Sequence, residues 1–187
     1  MAPPVRRVVE VPLDIRLSRL HLVIQAVMGW ENYHLYSYSV GRNVMVFDQK
    51  PDWGPEGEVL LAGRTSLASL LGRVPGQRKS FCYTYDFGDN WDHTITLLAE
   101  HPPEPDTVYP RVVAAEGACP PEDCGGPPGY ERYVKAIADP KHPDHEEMLA
   151  WRGPGFDPAA VDLRAIASRL SALARSWNRS ATARRKA

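Results

Sequence analysis

The sequence predicts an α+β fold: a curved, mainly antiparallel β-sheet packed with helices, with a helical C-terminal part. Three observations carry this. β-branched and aromatic segments crowd the middle of the chain, from about residue 35 to residue 115. Helical periodicity is confined to a segment near the N-terminus and to the region after residue 130. Strands therefore come in a run instead of alternating with helices, which argues against repeated βαβ units.

The elements follow in order. Val5 to Val11 is β-branched and basic until Pro12 stops it, which reads as a strand suited to a sheet edge. From Arg16 to Gly29 the apolar residues Leu17, Leu20, Ile24, Val27 and Met28 share one side, so this segment is a helix closed by glycine. Leu35–Val40 and Val44–Phe47 read as strands around the turn Gly41-Arg42-Asn43. After a polar loop come a short strand at Glu58–Leu61 and a short helix at Ser66–Leu71, with Ser66 as N-cap. Ser80–Tyr85 and Trp91–Leu98 form the strongest strand pair, closed by the loop Asp86–Asn90. Val108–Ala115 is a further strand. Tyr130, Tyr133, Val134 and Ile137 then mark a helix face, and Pro143–Trp151 another helix. Asp157-Pro158 reads as the N-cap of a last helix whose apolar stripe is Leu163, Ile166, Leu170, Leu173 and Trp177.

With 187 residues, the chain is expected to form a single domain over residues 1–177, followed by a basic, disordered tail at 178–187. The net charge of −1 gives no global signal for a polyanionic partner. Charge is uneven, however: no acidic residue follows Asp162, whereas Arg164, Arg169, Arg175, Arg179, Arg184, Arg185 and Lys186 do. That basic end is the candidate contact for a nucleic acid or protein partner. No apolar run approaches the ~20 residues of a membrane span, so no membrane partner is expected. The three cysteines are an odd number, which fits a reducing, cytoplasmic setting better than a disulfide framework.

Two motifs concentrate the chemistry. In the first, Tyr83 to His93, pairing Tyr85 with Trp91 sets Tyr83 opposite His93 and Phe81 opposite Ile95. Phe81, Tyr83, Tyr85, Trp91, His93 and Ile95 then share the core face, and Cys82, Thr84, Asp92 and Thr94 the other. His93 could be a ligand or general base, but a histidine among aromatics is more often buried and hydrogen-bonded. Asp86 and Asp89 flank Gly88. An Asx-turn with Gly88 at positive φ explains one aspartate, and the surplus suggests a hard cation. In the second motif, Pro120 and Pro121 stiffen a loop that displays Glu122 and Asp123 between Cys119 and Cys124. Zinc would need both thiols plus two distant ligands such as His93 or His34, because only a single Cys-x4-Cys pair is present. Otherwise Asp123 braces the Tyr130 helix, and the cysteines act as small buried hydrophobes. The metal candidates are thus Asp86, Asp89, His93, Cys119, Glu122, Asp123 and Cys124. Asp86, Asp89, His93, Glu122 and Asp123 are also the catalytic candidates. His21, at the boundary of the first helix stripe, and His34, Tyr83, Tyr85 and Trp91 are further candidates for a shared cleft. No P-loop, dinucleotide fingerprint, His-Glu-x-x-His or Gly-x-Ser-x-Gly pattern occurs.

The matching pieces resemble the plasmid pRiA4b ORF-3-like family, related to passenger proteins of insertion sequences. They are Pro3-Pro4-Val5-Arg6-Arg7, Leu20-His21 through Gly29-Trp30, His34-Leu35, the Tyr83–His93 motif, Glu116 through Tyr130, and Phe156-Asp157. The resemblance spans about residues 3 to 175 and implies an α+β sandwich of a curved antiparallel sheet with helices. Family members usually begin with a further strand before the Pro-Pro and carry a Trp where Arg6 stands, so that first strand is expected to be missing here. The resemblance implies no reaction. The function expected is that of a non-enzymatic binding or accessory protein of the kind carried on plasmids and insertion sequences. The alternative is a metal-dependent hydrolase or nuclease using a divalent metal on the carboxylates of the two motifs.

Overall fold

The structure is a computed structural model that describes residues 3–77 and 79–186, with side chains of the last helix described as far as Asn178. The α+β architecture is as the sequence predicts, but the strands form two sheets. β2 (Tyr36–Val40), β3 (Val44–Phe47), β4 (Glu58–Leu61), β5 (Ser80–Tyr85) and β6 (Trp91–Thr96) make a five-stranded sheet in the order β4-β3-β2-β5-β6. Every neighbouring pair in it is antiparallel except β3–β4. β1 (Arg6–Glu10) pairs instead with β7 (Arg111–Glu116) in a separate two-stranded ribbon, with a register shift between Val8 and Val9.

The β5–β6 register is the one the sequence implies: Tyr85 faces Trp91, Tyr83 faces His93 and Phe81 faces Ile95. Phe81, Tyr83, Tyr85 and Trp91 are buried, whereas Asp92 and Thr94 on the other face are exposed. Against this inner face lies α1 (Leu17–Met28), whose Leu17 backbone carbonyl accepts the buried Tyr38 hydroxyl at 2.9 Å. Gly29 ends α1 at φ 92, as a glycine C-cap should. Ser66 caps α2 (Leu67–Leu71) through its Oγ and the Ser69 amide.

Two helix starts depart from the sequence reading. α3 runs Gly126–Ala138, because Pro127 and Pro128 occupy its first turn, where a missing N–H costs nothing. α5 (Leu163–Lys186) begins well after Asp157: Asp162 is the residue whose Oδ1 accepts the amides of Arg164 and Ala165, at 2.9 and 3.0 Å. Asp157 makes a local turn onto Ala159 instead. On α5 the buried stripe is Ile166, Leu170 and Ala174, and Leu163 is exposed. α4 (His145–Arg152) lies between α3 and α5 in sequence and buries no residue fully. The side chains of the basic tail beyond Asn178 fall outside the described residues.

Candidate metal centre

His21 is the first residue to move from its expected place. It is buried, not at a boundary, and stacks on Tyr36 with ring centroids 3.7 Å apart. Its Nε2 lies 2.5 Å from Asn32 Oδ1, an atom that only accepts, so Nε2 carries the proton. Nδ1 then accepts from the Tyr83 hydroxyl at 2.8 Å, and that hydroxyl in turn accepts from Gln25 Nε2 at 3.2 Å. Gln25 Oε1 accepts the Asn32 amide at 3.0 Å. Burial pushes the His21 pKa down, consistent with a neutral ring. The network pins the segment after α1, with Asn32 in the left-handed region at φ 61.

His93 is held just as firmly. Its Nδ1–H donates to the Trp91 carbonyl at 2.8 Å, and its ring packs edge-on to Trp30. Burial lowers its pKa as well.

His34 differs. It sits three residues beyond Glu31, just before β2, and its Nε2 is buried yet makes no hydrogen bond. Around that nitrogen lie Asp123 Oδ1 at 2.8 Å, Asp86 Oδ2 at 3.7 Å and Glu122 Oε2 at 4.0 Å. The 2.8 Å approach is close, but it lies off the line of a hydrogen bond. His34, Asp86 and Asp123 each offer a ligand atom, and these atoms all lie within 4.8 Å of one another.

The two sequence motifs therefore meet, and the reason is local. Asp86 and Asn90 carry the left-handed φ values of the hairpin turn, 57 and 52, whereas Gly88 was expected to. Asp86 Oδ1 still closes an Asx-turn onto the Gly88 amide at 2.9 Å, which leaves Oδ2 turned toward His34. Asp89 Oδ2 accepts the Gly125 amide at 3.1 Å, beside the start of α3, where a carboxylate is favoured by the helix dipole. Gly126 permits the contact: at φ 67, a Cβ there would stand 2.2 Å from the Asp89 carbonyl oxygen. Trp30 Nε1 donates to the Pro120 carbonyl at 3.0 Å and ties the same loop to α1.

Tyr85 joins the third segment. Its hydroxyl accepts the Tyr33 and His34 amides at 3.1 and 3.4 Å and donates to Glu122 Oε1 at 3.2 Å. Burial raises its pKa to about 12, so it stays a donor. Glu122 Oε1 also accepts the Glu31 amide at 2.8 Å. The site is closed at its base and open at its rim: the Asp86 and Glu122 side chains are 12% and 13% exposed, that of Asp123 65%.

The donor set suits a cation. Cis ligands of one ion with bonds of about 2.1 Å are roughly 3.0 Å apart in an octahedron and roughly 3.4 Å apart in a tetrahedron. The 2.8 and 3.7 Å separations from His34 bracket those values. One imidazole with carboxylates suits manganese, iron or zinc better than a thiolate-seeking ion. Among the described residues, Cys119, Cys124, Asp89 and His93 are not in the cluster. Burial pushes both thiols up, Cys124 to about 12. Tyr83 and Trp91 are buried in the core, Tyr83 bonded to His21. Sequence reading missed Glu31, Asn32 and Gln25, which carry no periodic signal. It placed His34 in a cleft and as a distant ligand for a cysteine-held zinc, not beside Asp86 and Asp123.

Three likenesses bear on kinship. The chain is 44% identical over 180 residues to the uncharacterized protein y4hQ of Sinorhizobium fredii, covering 96% of this chain and 90% of that protein. A crystal structure of MM3350, a protein of unknown function from Methanosarcina mazei Go1, superposes with a TM-score of 0.77. That match has 31% identity and covers 88% of this chain and 90% of the other. The sequence model of the plasmid pRiA4b ORF-3-like protein matches residues 1–165, and with the hairpin and Cys-Pro loop joined as described, the chain belongs to that family.

Proposed function

We propose that this protein binds a divalent cation through His34 Nε2, Asp86 Oδ2 and Asp123 Oδ1, and that this centre is its functional site. One observation carries the reading: a buried imidazole nitrogen that makes no hydrogen bond and stands 2.8 Å from Asp123 Oδ1, facing carboxylates delivered by both motifs. A buried polar atom of this kind is costly unless a partner satisfies it. A cation would satisfy it and offset the carboxylates' mutual repulsion. The arrangement favours the metal-dependent alternative over a purely non-catalytic accessory role, and it replaces the thiol and His93 ligands with His34. The test is metal uptake from manganese and zinc buffers by the wild type, His34→Ala, Asp86→Asn and His93→Ala. About one ion per chain is expected in the wild type and in His93→Ala, with loss in the other two. Wild-type protein that stays metal-free at millimolar metal would sink the proposal.

A second reading rests on a separate surface. Arg164 and Arg175 are exposed on α5, at the start of the basic run. That favours an accessory role in which α5 contacts nucleic acid, in a cytoplasmic protein associated with mobile elements. Duplex binding that weakens with salt and disappears on deleting residues 176–187 is the result it requires.

A further inference from the structure

Glu122 stands just outside the set of ligand atoms, and the way it is held indicates what it does. Its Oε1 is taken twice, by the Glu31 amide at 2.8 Å and the Tyr85 hydroxyl at 3.2 Å. Oε2 keeps only a longer contact with Tyr85, 3.4 Å, and lies 4.0 Å from His34 Nε2. The carboxylate is thus fixed by two donors on one oxygen, with the other turned toward the His34 nest. A water oxygen about 3.0 Å from Nε2, as a neighbouring ligand of the same ion would be, can also lie about 2.7 Å from Oε2. The triangle closes on the observed 4.0 Å separation.

The surrounding charge limits what such a water could attack. Glu31, Asp86, Glu122 and Asp123 gather here, with Asp89 on the same turn as Asp86. Among the described residues, none of them pairs with a lysine or arginine. Sites that transfer phosphoryl groups clamp the phosphate with Arg, Lys or additional metal ions. One divalent ion leaves this site negative, so a phosphodiester is repelled and an uncharged or cationic acyl compound is not.

Resting on the cation reading above, we propose that Glu122 is the general base of a hydrolytic centre acting on uncharged or cationic esters or amides. Glu122 Oε2 accepts one proton of the water as the water oxygen bonds to the acyl carbon. The bond from that carbon to the leaving oxygen or nitrogen then breaks, and Glu122 returns the proton to the leaving atom. The products are a carboxylic acid and an alcohol or amine. Tyr85 is a positioning residue in this scheme: it orients Glu122 and the backbone that carries His34.

The experiment loads the wild type, Glu122→Gln, Tyr85→Phe and His34→Ala with manganese or zinc and measures bound metal in each. Each is assayed with p-nitrophenyl acetate and with bis(p-nitrophenyl) phosphate. Wild type should cleave the ester above the metal-free background and leave the diester nearly untouched. Glu122→Gln should keep its metal and lose about 100-fold in ester turnover, the usual size of a general-base contribution. Tyr85→Phe should keep its metal and lose less, with a shifted pH–rate profile. Loss of metal in Glu122→Gln would make Glu122 a ligand and overturn the assignment, as would an unchanged rate. Preference for the diester overturns the substrate class. Metal-loaded wild type without ester turnover overturns the hydrolytic proposal alone. Wild type that takes up no metal overturns the cation reading with it.

Discussion

His93 and His34 sit beside the same tyrosine-rich sheet, His93 inside the hairpin motif and His34 just before β2. Their surroundings differ in one respect. His93 spends its Nδ1 on the Trp91 carbonyl and lies against Trp30 and Tyr83. His34 offers a buried nitrogen to three carboxylates, the nearest at 2.8 Å, and hydrogen-bonds to none. A satisfied histidine contributes to the fold, whereas an unsatisfied one among charges is available to a ligand. Nearby aromatics and carboxylates are common to both and do not separate these roles. Hydrogen-bond satisfaction does.

The contrast can be broken most severely from the core side. Tyr83 is wholly buried and holds the His21 network, so Tyr83→Ala should cost about 3–5 kcal/mol, as for other buried aromatics. Chemical denaturation measures this, and a loss under about 1 kcal/mol would mean that the aromatic face does not carry the fold.

His93→Ala should come next, with a loss of about 2–3 kcal/mol from cavity and hydrogen bond together. Its metal uptake should be unchanged. His34→Ala should show the reverse, near-wild-type stability in metal-free buffer and no bound ion. If both variants lose stability equally and neither changes metal content, the distinction fails.

Gly126→Ala tests whether the two motifs must touch. It forces a Cβ against the Asp89 carbonyl at a positive φ, so it should cost about 2 kcal/mol and weaken metal affinity. Wild-type affinity in this variant would show that the centre does not depend on that contact.

The smallest effect is with pH. Burial depresses the pKa of His21 and His93 below the ordinary 6.5. The unfolded chain therefore binds more protons than the folded one as pH falls through 6.5, and stability present above that value is lost below it. The denaturation midpoint should fall between pH 7 and pH 5. His93→Gln should show a shallower fall, and an identical slope in that variant would remove His93 from the explanation.

Much of the fold is legible in residue order. The β5–β6 register follows from alternation and the short loop, since a one-residue slip would turn Tyr83 and Tyr85 away from Trp91's face. Ser66 and Gly29 announce their helix ends by their own chemistry. The helix starts at Gly126 and Leu163 were harder, since prolines obscure the first and two aspartates compete for the second. The site was legible only in part. Asp86, Glu122 and Asp123 stand out as carboxylates in stiff turns, but nothing in the spacing ties them to His34.

The sequence by itself determined the α+β class, the inner aromatic face and the two loops that carry the carboxylates. These rest on local rules of alternation, periodicity and turn chemistry, which act over a few residues. Tertiary structure decided the rest: the separate β1–β7 ribbon, the burial of His21, the bond of Asp89 to the Gly125 amide and the meeting of His34 with Asp86 and Asp123. Those depend on contacts across tens of residues, such as Trp30 with Pro120 and Tyr85 with Glu122. No periodicity encodes such contacts, because each is set by how whole elements pack.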